Sequence, residues 1–235
     1  MKKIALWYIH NNDTDYLYPS LITQSPLVDK IVILDNTPDH IFKEQKMEEK
    51  ILSINPQKII LKHTLEFGSG FHGEYNLPQF DEMKARNAAI ELAKQTNPDW
   101  LVQCDADEWY SPSFFDFLKE TKPSAIYIPE VVWINKKEYC IWDYHHLRAV
   151  HNSLPFKFVY SPIVLFNEKN KSMHCQQRVI GNFVKIDNYW HNHMHYCMGH
   201  KKDLQFISSH KKRSDIASDM LFKGEWIEPY KSLLV

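Results

Sequence analysis

The stretch Trp100-Leu101-Val102-Gln103-Cys104-Asp105-Ala106-Asp107-Glu108 decides how this chain is read. Its apolar opening, Trp100–Cys104, has the length and composition of a short buried strand, and it runs directly into two aspartates one residue apart. If the backbone stays extended, Asp105 and Asp107 point to the same side. Two carboxylates so close repel each other unless a cation lies between them. Hard oxygen donors favour Mg²⁺ or Mn²⁺. Mg²⁺ takes only one or two carboxylates and completes its sphere with water and substrate phosphates, so the pattern implies a phosphorylated ligand rather than a structural metal. Asp-rich turns are common, and Asp-x-Asp alone is a weak signal. The strand before it and Glu108-Trp109-Tyr110-Ser111-Pro112 after it put it at a sheet edge rather than on a helix surface.

Working outward from this junction, strand and helix signals alternate through the first half. Lys3–Ile9, Lys30–Leu34 and Lys58–Leu61 read as short strands, and Asp35-Asn36-Thr37-Pro38 as a turn. Tyr16–Gln24 and His40–Ser53 read as helices. Phe80–Gln95 is an amphipathic helix stopped by Asn97-Pro98, and a glycine-bearing loop, Phe67 to Gly73, precedes it. Such alternation implies a mainly parallel sheet with both faces covered. In open sheets of this kind ligands sit at the carboxyl ends of the strands, where Asp35, Asp105 and Asp107 all fall. The second half is mixed: a short helix at Ser113–Lys119, strand-like pieces at Ala125–Ile134, Glu138–Trp142, Phe156–Phe166 and Phe183–Tyr189, and helices at Asp203–Ser208 and Asp215–Phe222. Residues 1–112 form a ligand-binding half and 113–235 a second half of one compact domain.

The bulk properties narrow the function classes. The net charge of −1 gives no global field that would draw the chain to nucleic acid. A basic cluster at Lys201, Lys202, Lys211, Lys212 and Arg213 reads as a solvated face, with weak attraction to an anionic membrane as the alternative. Ile4–Ile9 is too short for a signal core or a membrane span, and no other stretch is long enough. Cys104, Cys140, Cys175 and Cys197 form no CxxC pair, so reduced thiols and a cytoplasmic location are expected.

Residues Lys84-Ala85-Arg86-Asn87-Ala88-Ala89-Ile90, together with Asp99 through Glu108, resemble glycosyltransferase family 2 and its GT-A relatives, which carry an "ARN-x-(G/A)-I" helix, a hydrophobic strand and then "D-A-D-(D/E)". Val32-Ile33-Leu34-Asp35-Asn36-Thr37 is similar to that family's second strand, which ends "VDN-(G/T)-S". The match covers Met1 to about Pro112 in order and spacing. The resemblance implies a GT-A, nucleotide-diphospho-sugar transferase fold, with a mixed α+β C-terminal half. It also implies a hexosyl- or deoxyhexosyltransferase that uses Mn²⁺ or Mg²⁺ and a UDP- or GDP-sugar donor to glycosylate a glycan or other hydroxyl acceptor. Asp35 would then contact the base or ribose, with Asn11 lining the base pocket. Arg86 would lie near the diphosphate, Asp105 would approach the ribose or metal, and Asp107 would bind the metal directly.

The segment Tyr189-Trp190-His191-Asn192-His193-Met194-His195-Tyr196-Cys197 puts His191, His193, His195 and Cys197 on one face if extended. It reads as a zinc site, as polar packing of a half-buried strand, or, by the resemblance, as the source of a late histidine completing the metal shell, His193 or His195. His174 is followed by Cys175-Gln176-Gln177, so the "His-Glu" of related transferases, whose Glu acts as a base, is missing. The resemblance favours inversion, which needs a group to take the acceptor's proton, whereas a retaining mechanism would not require one. Asp143, among the aromatics of Ile141-Trp142-Asp143-Tyr144, is the first candidate and Glu130 the second, though either also reads as a structural carboxylate. Three rivals stand beside this reading: a nucleotidyltransferase, a non-catalytic glycan- or nucleotide-binding relative, and a metal hydrolase using the histidines. The loop His10-Asn11-Asn12-Asp13 lacks the Gly and Lys of a nucleotidyltransferase phosphate loop.

Overall fold

Alternation along the first strand, Ile4–His10 (β1), sets up two cores, because successive side chains leave a strand on opposite faces. Ile4, Leu6 and Tyr8 enter one cluster, and Ala5 and Trp7 the other. The computed structural model describes residues 2–11, 14–68, 80–135, 138–160, 175–179, 183–185, 191–193 and 222–223. After β1 come helix α1 (Thr14–Gln24), β2 (Lys30–Asp35), α2 (Asp39–Glu44), α3 (Met47–Ile54), β3 (Ile59–His63), α4 (Glu82–Lys94) and β4 (Trp100–Gln103). Then follow β5 (Glu108–Tyr110), α5 (Pro112–Glu120), β6 (Ala125–Asn135), β7 (Glu138–His151), β8 (Phe156–Tyr160), β9 (Cys175–Val179), β10 (Phe183–Lys185), β11 (His191–His193) and β12 (Phe222–Lys223).

One sheet carries the order β3-β2-β1-β4-β7-β6-β11-β5, with β10 beside β6 and β12 beside β7. The first four of these strands are mutually parallel. β7 then joins antiparallel to β4 and β6, while β11 runs parallel to β6 and antiparallel to β5. The α/β class expected from the sequence is therefore the observed one, with a parallel half and a mixed half fused through β4 and β7. β8 and β9 form a separate antiparallel hairpin. On one sheet face Leu17 and Leu21 of α1, Met47 and Ile51 of α3, and Phe114 and Phe115 of α5 close the core. On the other, Ala85, Ala89 and Ala93 recur every four residues along α4 and let its backbone approach the sheet, with Phe156 and Phe158 beside them. Among the described residues no helix is long and apolar enough to cross a membrane.

Several boundaries differ from the sequence reading. The helix expected over His40–Ser53 is two helices, because Lys46 takes a left-handed conformation (φ 51°) and breaks the turn between them. Leu61 is not the end of its strand, which continues to His63. β5 carries only three residues and gave no strand signal. β7 runs on from the expected Glu138–Trp142 to His151, since its partners β4 and β6 continue alongside it. Phe222, expected to end a helix, pairs as a strand with Tyr139. The Asp203–Ser208 helix lies outside the described residues.

Candidate functional site

At the carboxyl edge of the parallel strands the register sets His10 beside Asp35 and Asp35 beside His63. All three are last residues of their strands, so their side chains meet in a row. Asp35 is fully buried, and four donors converge on its carboxylate. His10 Nδ1 and the Thr37 hydroxyl (3.1 Å) reach Oδ2, while His63 Nδ1 (2.9 Å) and the Thr37 amide (3.1 Å) reach Oδ1. An ionised carboxylate offers about four lone-pair positions, so this one is saturated. Burial pushes the Asp35 carboxyl upward, but the hydrogen bonds and charge of His10, the His63 bond and the Thr37 amide more than offset it, and the net shift is downward. His63 Nε2 goes on to Asp39 Oδ1 at 2.8 Å. Both ring nitrogens of His63 therefore face carboxylate oxygens. That contact, with lesser help from Lys43 and His40, lowers the Asp39 carboxyl. The ring stacks on Phe42, centroids 3.9 Å apart. The direct base or ribose contact expected of Asp35 requires one of its four bonds to give way. Asn11, expected in the base pocket, follows β1 immediately and is half-buried.

The Asp-x-Asp segment is not extended. β4 ends at Gln103, and the Glu108 amide donates to the Asp105 carbonyl at 3.0 Å, closing a four-residue turn. The alternation argument for a shared side of Asp105 and Asp107 thus does not apply, and both are half-buried within one tight turn. Asp105 keeps 36% of its side chain exposed and faces two guanidinium groups: Arg86 Nη1 at 3.5 Å from Oδ1 and Arg148 Nη1 at 4.0 Å from Oδ2. Arg86 is itself held by Glu82 (Nε to Oε1, 2.7 Å) and lies over the Phe158 ring, 5.3 Å from its centroid. Phe158 is fixed in turn by Asn87, which accepts its amide (2.8 Å) and donates to its carbonyl (3.0 Å). The "ARN" helix therefore supplies one residue to the turn and one to the β8–β9 hairpin.

Helix α1 braces the turn from behind. Ser20 Oγ donates to the Glu108 carbonyl at 2.9 Å, and Tyr8 OH lies 3.0 Å from the same Oγ. The Gln24 amide answers both backbone groups of Tyr110, at 3.1 and 3.2 Å. Tyr110 OH donates to the Gln103 carbonyl. Cys104 is buried and donates its thiol to the Glu108 carbonyl at 3.2 Å. Burial above all, with the Glu108 charge, pushes that thiol well up.

The later candidates reach the same region through the sheet. β11 lies between β5 and β6, so His193 is in register with Glu108 on one side and Val132 on the other, while His191 sits between Tyr110 and Glu130. Pro129 pairs with His145 and Glu130 with Trp142, leaving Asp143 and Tyr144 as extra residues on β7. Both base candidates thus fall at a single register irregularity, a feature frequent beside active sites. His195 and His174 lie outside the described residues. Sequence reasoning passed over His63 and Arg148, and quoted Glu108 in the motif without giving it a role. The signal for Arg148 was present: a lone charge inside Leu147-Arg148-Ala149-Val150, which a buried strand tolerates only with a partner.

No family model matches the chain, and no curated protein matches it in sequence. Among solved structures it is similar to S. aureus TarS, with TM-score 0.37 and 17% identity over 55% of this chain and 22% of that one. It is also similar to glucosyl-3-phosphoglycerate synthase from Mycobacterium tuberculosis in complex with phosphoglyceric acid, with TM-score 0.36 and 16% identity over 56% of this chain and 44% of that one. The chain spans less than half the length of either.

Among the described residues no group of three or more His, Cys, Asp or Glu side chains converges as a self-sufficient metal cage. The turn offers two carboxylates, the donor number and type that suit Mg²⁺ or Mn²⁺ shared with a phosphorylated ligand, and not the nitrogen and sulfur set of structural zinc.

Proposed function

We propose that this chain is a metal-dependent glycosyltransferase that moves a sugar from a nucleotide-diphosphate sugar to a glycan or other hydroxyl acceptor, with inversion. One observation carries the reading: a partly exposed Asp105 in a tight turn at the carboxyl end of β4, flanked by the guanidinium groups of Arg86 and Arg148. Carboxylates and guanidinium groups side by side at that edge suit a ligand that brings its own negative oxygens and shares a cation with the protein. The sequence pattern from Lys84 to Glu108 supports the same assignment.

In this reading Asp105 and Asp107 hold Mn²⁺ or Mg²⁺, with His193 or His195 as the late ligand. The bound ion acts as a Lewis acid that neutralises charge on the departing diphosphate. Arg86 adds a fixed positive charge beside the diphosphate, and its clamp between Glu82 and Phe158 means little reorganisation is needed to do so. Asn11 and the end of β2 receive the nucleoside, with Asp35 acting through the His10 and His63 rings it orients. Asp143 or Glu130 takes the acceptor proton.

The test is a thermal-shift titration with UDP and GDP, with and without Mn²⁺. A ligand at a hundredfold excess over Kd stabilises by about 2.7 kcal/mol. A metal-dependent shift that Asp107→Ala abolishes is expected. A shift indifferent to Mn²⁺, or one that survives Asp107→Ala, removes the basis of the assignment.

A further inference from the structure

The turn that carries Asp105 and Asp107 is closed from inside by a pair of charges. The Glu108 carboxylate, 3% exposed, accepts the Asp105 amide on Oε2 (3.1 Å) and Arg148 Nη2 on Oε1 (2.6 Å). Arg148, 6% exposed, extends its other terminal nitrogen to 4.0 Å from Asp105 Oδ2. The circuit runs from the Asp105 backbone through Glu108 and Arg148 back to the Asp105 side chain. It joins the backbone and carboxylate of one residue through a strand whose Arg148 lies 40 positions beyond Glu108.

Stability alone explains this arrangement poorly. A buried ion pair gains little over a well-packed apolar pair of similar shape, because the attraction must first offset the desolvation of both charges. What an apolar pair cannot do is grip a backbone amide with one oxygen and a guanidinium with the other. At 4.0 Å Arg148 does not hydrogen-bond Asp105, so it leaves both carboxylate oxygens able to accept while its charge biases their orientation.

We propose that Glu108 and Arg148 are positioning residues: together they set the conformation of the Asp105–Glu108 turn and hence its affinity for a divalent cation with a nucleoside diphosphate. This rests on the metal-dependent reading above. Both side chains are nearly buried, 3% exposed for Glu108 and 6% for Arg148, and act through the turn. Groups that orient metal-binding side chains in this way typically change metal affinity by about 10–100-fold when removed.

The experiment is an electron paramagnetic resonance titration of Mn²⁺ in the presence of UDP, run on the full chain and on the E108Q/R148M variant beside a melting curve. Removing both members of the pair leaves neither of them buried without the other, so the variant is expected to melt close to the unaltered protein while binding Mn²⁺ with UDP about 10–100-fold more weakly. A variant that folds and binds as tightly as the unaltered protein overturns the proposal and leaves the metal reading standing. An unaltered chain that lowers the free-Mn²⁺ signal no further than UDP or GDP alone does overturns the metal reading, and this proposal with it. If the double variant does not fold, R148K decides, because it keeps the charge and loses the fork: weaker Mn²⁺ binding at an unchanged melting temperature supports the assignment, and unchanged binding overturns it.

Discussion

Replacing Asp35 by alanine separates two roles for the residue that the resemblance and the structure assign differently. If the carboxylate is a brace, Asp35→Ala strips two histidines of their acceptor, one of them, His10, buried. Hydrogen bonds to a charged group are worth about 1.5–3 kcal/mol each, so the two histidine bonds together amount to about 3–6 kcal/mol. The Thr37 bonds are local and add little. That loss is a large part of the roughly 5–15 kcal/mol that holds a typical domain together. At about 2–4 °C per kcal/mol for a chain of 150–250 residues, the melting temperature falls by roughly 6–24 °C without any ligand. If the carboxylate instead makes its main contact with a nucleotide, the ligand-free protein barely notices the change and only nucleotide affinity drops. Ligand-free melting by circular dichroism, with UDP and GDP titrations alongside, distinguishes the two. A ligand-free shift of less than about 2 °C refutes the saturated-carboxylate argument, because by the same conversion it corresponds to less than one hydrogen bond to a charged group.

Three further outcomes follow from the same packing and hydrogen bonding. Asp35 and Asp39 both titrate below their ordinary value of 3.8 in the folded chain, so the stability they confer is present above that value and is lost as pH falls through the lower folded values. Asp39→Asn, at an exposed position, should flatten the acid limb of a stability–pH curve, and an unchanged limb contradicts the His63–Asp39 contact. Trp100 is fully buried, and among the described residues its indole N–H finds no acceptor. In Trp100→Phe, relief of an unsatisfied donor, about 1–3 kcal/mol, offsets the lost ring volume, and denaturant unfolding should show a net change within about 1 kcal/mol; destabilisation beyond about 3 kcal/mol counts against it. Cys104, buried and with its thiol pushed up, should resist iodoacetamide in the native protein and react in denaturing urea, as read by peptide mass spectrometry. Labelling of the native chain at the rate of a free thiol shows that the packing around Cys104 opens in solution.

How much of this could be read beforehand depended on the range of the interactions. The strands Lys30–Asp35 and Trp100–Gln103 and the helix Glu82–Lys94 announce themselves because their burial is written in local periodicity, and they lie where the pattern puts them. The left-handed Lys46 does not, since a lysine carries no signal for that conformation. The turn at Asp105 was misread as extended because its closing bond, Glu108 amide to Asp105 carbonyl, depends on Glu108 being anchored by Arg148 across the sheet. The row His10–Asp35–His63 likewise exists only through register: each residue ends its own strand, and nothing local says that the three ends coincide.

The grip of Gln24 on Tyr110 reaches beyond the turn it steadies. β5 is the last strand in the order of its sheet, and a terminal strand usually presents bare amides and carbonyls on which a foreign chain can dock. Here a helix side chain occupies one residue's amide and carbonyl together, so that at Tyr110 the sheet is sealed by its own amide group and has nothing to offer an intruding strand.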